Sequence, residues 1–168
     1  RLLSAVHHVT ADVLGCDLTT IEEPYRGTDS NALRLAHYPQ VQGGAAVEEG
    51  QLRYGAHTDY QGFTLLNQDA NVGGLEVYKD GTWIAMPPGG FVVNAGDLIE
   101  LWANGRWRSA MHRVANGAID QRRLSMAFFT GPRDDADISP IVREGDYARF
   151  ETVNSGEWLR RKLSVSNV

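Results

Sequence analysis

Apolar residues recur at helical spacing only near the two ends of the chain, while the middle is filled with short alternating runs broken by Gly, Asn and Pro. At the front, Leu2, Leu3, Val6, Val9, Val13 and Leu14 predict a helix over residues 1–14, with Gly15 as its stop. Near the far end, "SGEWLRRKL" places Leu159 and Leu163 one turn apart behind Ser155, an N-cap candidate, and predicts a short helix. Residues 17–31 are polar and turn-rich. "ALRLAHYP" alternates Leu33 and Leu35 with Arg34 and Ala36 and predicts a strand closed by Pro39. A Gly- and Glu-rich loop, "QVQGGAAVEEGQ", follows over 40–51. Strands are then expected near 53–58, 62–67, 74–78, 82–86, 91–94, 97–102, 110–115 and 123–130, with Asp80-Gly81 suited to a tight hairpin turn. Gly73-Gly74 and Gly89-Gly90 mark turns, and Asn94 and Asp97 in "VVNAGD" read as turn formers. Trp83, Trp102 and Trp107 are expected to pack the barrel, and Met111 and Met126 to fill its core. So many short strands behind one helix predict a mostly β fold, a sandwich or jelly-roll barrel.

A chain of 168 residues suits one domain, and 42% apolar with 22% charged residues is the composition of a packed globular protein. The net charge of −5, with no basic stripe, argues against nucleic acid as a partner. No apolar run reaches the length of a membrane span. Residues 1–15 carry no secretory pattern and Cys16 stands alone, which points to a reducing, cytoplasmic location. The chain opens at Arg1 inside a helical pattern, so a fragment of a longer protein is expected. Oligomeric state is not legible.

The chemistry concentrates in "GAHTDYQGFTLL", where His57 and Asp59 stand two apart, a spacing that sets both on one face of a strand. Alone, the pair fits a metal clamp, an acid/base pair or two polar groups on a wet strand. Of the five histidines, His7 and His8 are adjacent on a helix and point about 100° apart, so a surface or core-packing role is expected for them. His37, beside Tyr38, is assigned a structural role. His112, at the start of another β run, supplies a third ligand. Two imidazoles and one carboxylate on neighbouring strands make the facial set suited to non-haem Fe(II), which leaves the opposite face of the metal open. Zinc accepts the same ligands. "RRLSMAFF" separates the readings further: Arg123 and Ser125 share a strand face, and a guanidinium beside a hydroxyl is a receptor for a carboxylate. Arg122 points the other way, toward solvent. Asn94 has an alternative place beside the metal ligands, and Leu66 reads as a core leucine or as a wall against a carboxylate-bearing ligand.

"GAHTDYQGFTLL", "GGLEVYKDGTWIAMPPGGFVVNAGDLIELWANGRWRSAMHRV" and "RRLSMAFF" together resemble the catalytic core of the isopenicillin N synthase-like 2-oxoglutarate/Fe(II)-dependent dioxygenases, over about residues 30–163. The resemblance implies a double-stranded β-helix (a jelly-roll or cupin-like barrel) with a few flanking helices. It implies a single catalytic domain over 1–168 with its core at about 32–132, lacking the family's N-terminal region. His57, Asp59 and His112 would be the iron ligands, and Arg123, Ser125 and Tyr38 would hold 2-oxoglutarate. Phe129 would line the substrate pocket. Ala36 stands where many plant members carry Asn, which removes one expected contact to the cosubstrate. The implied reaction uses Fe(II), 2-oxoglutarate and O2 to oxidise a C–H bond of a small metabolite by hydroxylation, desaturation or cyclisation, with release of succinate and CO2. The alternatives are a family oxidase or cyclase that does not consume 2-oxoglutarate, and a non-catalytic metal-binding jelly roll.

Overall fold

Alternation of side chains across each short run lets strands pair edge to edge while keeping one face for an interior. The computed structural model, which describes residues 1–27, 30–40, 50–116 and 120–166, builds two antiparallel sheets on this principle. The strands are β1 (Ala32–Tyr38), β2 (Leu52–His57), β3 (Phe63–Gln68), β4 (Leu75–Lys79), β5 (Thr82–Ala85), β6 (Phe91–Ala95), β7 (His112–Ala115) and β8 (Arg123–Phe129). One sheet runs β1-β8-β3-β6 and the other β2-β7-β4-β5. The chain therefore changes sheet at nearly every connection, which winds it into a jelly roll, the double-stranded β-helix. Within these two sheets, among the described residues, β4 and β5 alone are sequential neighbours. Their hairpin turns at Asp80 and Gly81, both with positive φ (50° and 84°), the primed geometry that Asp-Gly tolerates. A small extra ladder joins β9 (Asp137–Ile138) to β10 (Val153–Asn154).

The main apolar cluster lies at one side of the barrel, where helices cover the start of β3. Ala11 of α1 (Leu2–Leu14) and Ile21 of α2 (Leu18–Glu22) meet Leu98, Ile99, Leu101 and Trp102 of α3 (Asp97–Trp102) and Phe63 there. The barrel interior keeps buried polar side chains instead, among them Asp59, Thr64, Gln68, Arg123 and Ser125. Burying such groups costs free energy unless each finds a partner, so their presence marks a site rather than a core.

Several local expectations are corrected. Residues 97–102 form helix α3, not a strand. A six-residue run with Leu98, Ile99, Leu101 and Trp102 all buried has no polar face to reveal its period. Extended Gly96 starts the helix, whose first turn carries Asp97 and Glu100, favourably placed for the helix dipole. Asp97 is thus no turn former; its Oδ2 accepts the Lys162 ammonium at 2.7 Å. Nor is Asn94, which sits inside β6. The stretch 17–31 is not merely turns, since α2 and a 3-10 turn over Glu23–Tyr25 occupy much of it. Helix α4 (Ser155–Ser166) is capped by Asn154, whose Oδ1 accepts the Glu157 N–H at 3.2 Å; Ser155 is wholly buried inside the helix. Met111 and Met126 are not core filler but are 38% and 46% exposed. Met126 alternates with buried Arg123 and Ser125 and faces outward. The expected loop over 40–51 falls mostly on residues 41–49, outside the described ones.

Other expectations match. α1 ends at Gly15 in left-handed conformation, and His7 is buried against the Tyr25 ring, with centroids 4.6 Å apart. Arg122 is exposed, as its alternation with Arg123 implies, and His8 is exposed too; His37 is likewise exposed, which does not match the structural role expected for it. Trp102 lies in the apolar cluster, with Trp107 packed on it. No helix among the described residues is long and apolar enough to cross a membrane.

Candidate active site

Strand register brings the distant site residues together. β2 and β7 pair so that His57 lies opposite His112, and their rings sit with centroids 4.2 Å apart. Asp59 is not on the strand, as its spacing suggested, but in the connection just after β2. Its backbone carbonyl accepts the Asp97 N–H at 2.8 Å, which ties this connection to the start of α3. Gly96 is required there, since a Cβ would fall 2.7 Å from the Gln61 carbonyl and 2.8 Å from that of Gly62. The Asp59 Oδ1 atom lies 3.8 Å from His57 Nε2 and 3.9 Å from His112 Nε2. One ligand atom from each of the three residues falls within 4.8 Å of the others, close enough to hold one metal ion.

The hydrogen bonds around the cluster prepare it for a cation. Each imidazole turns Nδ1 to a backbone carbonyl at 2.8 Å, Gly55 for His57 and Ala110 for His112. A carbonyl only accepts, so Nδ1 carries the proton and the Nε2 lone pair faces Asp59. Burial lowers the pKa of His57 below its ordinary 6.5, with the neighbouring His112 acting in the same direction. Both effects favour the neutral, ligating imidazole. Asp59 is buried, and its Oδ2 accepts the Thr64 hydroxyl at 2.6 Å and the Asn94 amide at 2.7 Å. That leaves Oδ1 free on the histidine side. Thr64 and Asn94 are cross-strand partners on β3 and β6, so one rung of the ladder orients the carboxylate. Two neutral nitrogens and one anionic oxygen fit Fe(II) by donor chemistry.

Thr64 escaped the sequence reading. Its signal was present, because Thr64 alternates with Leu66 on a strand leading away from Asp59. Removing both donors, as Thr64→Val with Asn94→Ala, is expected to weaken Fe(II) binding by about 10–100-fold while the three ligands remain. Titration of the metal-free protein with Fe(II) under anaerobic conditions measures it. A pH dependence follows as well. His7 and His57 are both held below their ordinary pKa by burial, so below pH 6.5 the unfolded chain takes up protons that the fold resists. The stability of the metal-free protein is therefore expected to fall as the pH drops below 6.5 and to level off above it, as urea midpoints from pH 8 to pH 5 would show.

Arg123 stands opposite Tyr38 in the β1–β8 register, with its guanidinium 5.1 Å from the centre of the Tyr38 ring. It is 1% exposed. Nη2 donates to Gln68 Oε1 at 3.1 Å, but Nε and Nη1 have no hydrogen-bond partner. The Gln68 amide, whose Nε2 donates to the Pro87 carbonyl at 2.7 Å, is thereby fixed with its oxygen toward Arg123. Among the described residues no carboxylate lies within ion-pair distance of Arg123, and burial pushes its pKa below the ordinary value. A buried cation with unspent donors is a seat for an anion brought from outside. Arg123, Ser125, Tyr38, Leu66 and Ala36 line a cavity of about 70 Å³ that also holds His57, Asp59 and His112. A wider cavity of about 320 Å³ opens from the same cluster, walled by Phe129, Tyr60, Leu159 and Leu163. Phe129 and Asp59 border both cavities. Sequence reasoning missed Gln68 and Arg34; Arg34 carried a signal, since it alternates with Ala36 and Tyr38.

Fold and cluster together define a class, the jelly-roll proteins with a two-histidine, one-carboxylate metal site. Within that class the chain belongs to the 2OG-Fe(II) oxygenase superfamily, whose model matches residues 30–132. It is 37% identical over 162 residues to Homoarginine-6-hydroxylase 2-ODD-233 of Oryza sativa subsp. japonica, covering 92% of this chain and 49% of that protein. It is 36% identical over 173 residues to Validamycin A dioxygenase of Streptomyces hygroscopicus subsp. limoneus, covering 96% of this chain and 46% of that one. Among solved structures, full-length Neurospora crassa T7H in complex with alpha-KG and 5-formyluracil superposes with a TM-score of 0.84 at 32% identity, over 98% of this chain and 57% of that one. The chain thus spans about half the length of the curated relatives it matches.

Proposed function

We propose that this chain is the catalytic domain of an Fe(II)- and 2-oxoglutarate-dependent dioxygenase that oxidises a C–H bond of a small metabolite. In this reading His57, Asp59 and His112 hold the iron. Arg123, Ser125 and Tyr38 receive the far carboxylate of 2-oxoglutarate, and Phe129 walls the substrate cavity. The observation that carries it is the buried Arg123, left with two donor nitrogens, Nε and Nη1, without a hydrogen-bond partner in a cavity shared with the histidine–aspartate cluster. A structural zinc site has no use for such a group; an oxo diacid that must be oriented beside a metal does. With Fe(II) and 2-oxoglutarate bound, such a centre couples oxidative decarboxylation of the oxo acid to oxidation of the substrate by O2. The residues of the chain bind and orient. The two imidazoles enter neutral, Asp59 supplies the negative charge, and Arg123 neutralises the cosubstrate's distal carboxylate. Leu66, Val114 and Ala127 wall the narrow cavity with hydrocarbon, which strengthens that pairing by lowering the local dielectric. The single Cys16 of this chain fits a reducing, cytosolic setting.

The test is spectroscopic. Fe(II) and 2-oxoglutarate added anaerobically should give a visible metal-to-ligand charge-transfer band, and O2 should then release succinate. No band, or a band without succinate, overturns the assignment. Once a substrate is found, one succinate per product separates a dioxygenase from an oxidase that does not consume 2-oxoglutarate.

A further inference from the structure

The cavity of about 320 Å³ beside the metal cluster has, among the described residues, one cation in its wall, Arg34 on β1. Strand alternation turns Arg34 to the same side as Ala36 and Tyr38, into the barrel mouth. Its guanidinium lies 4.9 Å from the centre of the Tyr54 ring, and Nη1 donates to the Tyr54 hydroxyl at 3.0 Å. That contact holds the guanidinium firmly charged, raising its pKa. No carboxylate among the described residues lies within ion-pair distance of it. A tyrosine hydroxyl that accepts from arginine keeps its own proton to donate. Arg34 and Tyr54 therefore present unspent donors to one space. Tyr54 in turn stands edge-on to His57, with centroids 4.7 Å apart, so the donors sit one ring away from the metal cluster. The opposite walls, Phe129, Leu159 and Leu163, are hydrocarbon.

We propose that Arg34 and Tyr54 form an anion seat for the substrate. It selects a small carboxylic acid whose apolar body lies along Phe129, Leu159 and Leu163, with the C–H bond to be oxidised turned toward His57, Asp59 and His112. One guanidinium and one phenol suit the single charge of a carboxylate, whereas a phosphate dianion calls for more donors. The two arginines divide the work by depth: Arg123, buried and bordering the narrow cavity alone, takes the cosubstrate, and Arg34, which borders both cavities at the barrel mouth, takes the substrate. The inference rests on the dioxygenase reading above, because it places oxidation at the metal cluster.

Binding to the protein saturated with Fe(II) and 2-oxoglutarate under anaerobic conditions provides the test. Calorimetry would compare matched probes, hexanoate with hexanamide and 3-phenylpropanoate with 3-phenylpropanamide. At least one acid should bind about tenfold or more tightly than its amide. Arg34→Gln should erase the preference, Arg34→Lys should keep part of it, and 2-oxoglutarate affinity should stay unchanged in both. No acid preference in either pair, including no binding at all, overturns the seat, as does a preference that survives Arg34→Gln. A loss of 2-oxoglutarate affinity in Arg34→Gln equal to the loss for the acid also overturns it, placing Arg34 in the cosubstrate site. If no charge-transfer band forms, the dioxygenase reading fails by itself; the acid and amide pairs on the metal-free protein still decide whether the seat exists.

Discussion

Asp59→Ala should lose Fe(II) binding and succinate release together. Asp59 is the one anionic donor of the cluster, and its Oδ1 faces both Nε2 atoms from just under 4 Å. Losing groups that merely hydrogen-bond to a ligand costs about 10–100-fold in metal affinity, so losing the charged ligand itself should exceed about 100-fold. A second effect accompanies it. The Thr64 hydroxyl and the Asn94 amide, now pointing at Asp59 Oδ2, would be left without their acceptor, costing about 1–3 kcal/mol for the buried Thr64 donor and less for the half-buried Asn94. The variant should thus fold but melt earlier. Circular dichroism establishes the fold, anaerobic Fe(II) titration the affinity, and succinate release the turnover. Unchanged Fe(II) affinity in a folded variant would remove Asp59 from the metal site.

The parts of this molecule that the sequence disclosed are those in which one period dominates. β1 to β8 were legible, except that a helix was taken for a further strand, because each strand alternates over several residues between clear breakers. α3 was not, since a short run that buries Leu98, Ile99, Leu101 and Trp102 looks the same at either period. The site divides along a similar line. His57, Asp59, His112 and Arg123 announce themselves by residue type, whereas Thr64, Asn94 and Gln68 act only through cross-strand register. Thr64 faces Asn94, and Gln68 faces Ser125, and neither pairing exists until β3 has found both of its neighbours. Asp59 shows the limit from the other side: its spacing from His57 suggested a shared strand, yet its position comes from hydrogen bonds to α3, an element the pattern had misassigned. Arg34 carried a signal in its alternation with Tyr38 that the sequence reading missed, and its meaning depends on Tyr54, which faces it across the barrel mouth after irregular pairing of β2 with β7.

Arg123→Met is expected to abolish 2-oxoglutarate binding while leaving the ligand-free protein as stable as before, or more stable. The two halves have one cause. In the absence of a bound acid the Arg123 guanidinium is buried with only the Gln68 oxygen and the face of Tyr38 to compensate it, and an isolated buried ion carries a penalty of about several kcal/mol. Methionine fills similar volume along the same wall, beside Leu66 and Ala127, without that penalty. On the proposed assignment the wild type recovers that cost from the incoming carboxylate, so 2-oxoglutarate at 100 times its Kd should raise its unfolding free energy by about 2.7 kcal/mol. The variant should gain no more than about 0.4 kcal/mol at the same concentration, since losing one partner of a buried charge pair lowers affinity by about 100-fold or more. Thermal unfolding of both proteins, with and without 2-oxoglutarate, distinguishes this from a structural role. An arginine that only braces β8 against β1 would lower the melting temperature when replaced and leave the response to 2-oxoglutarate in place. An anchor held in reserve for an incoming acid does the opposite on both counts.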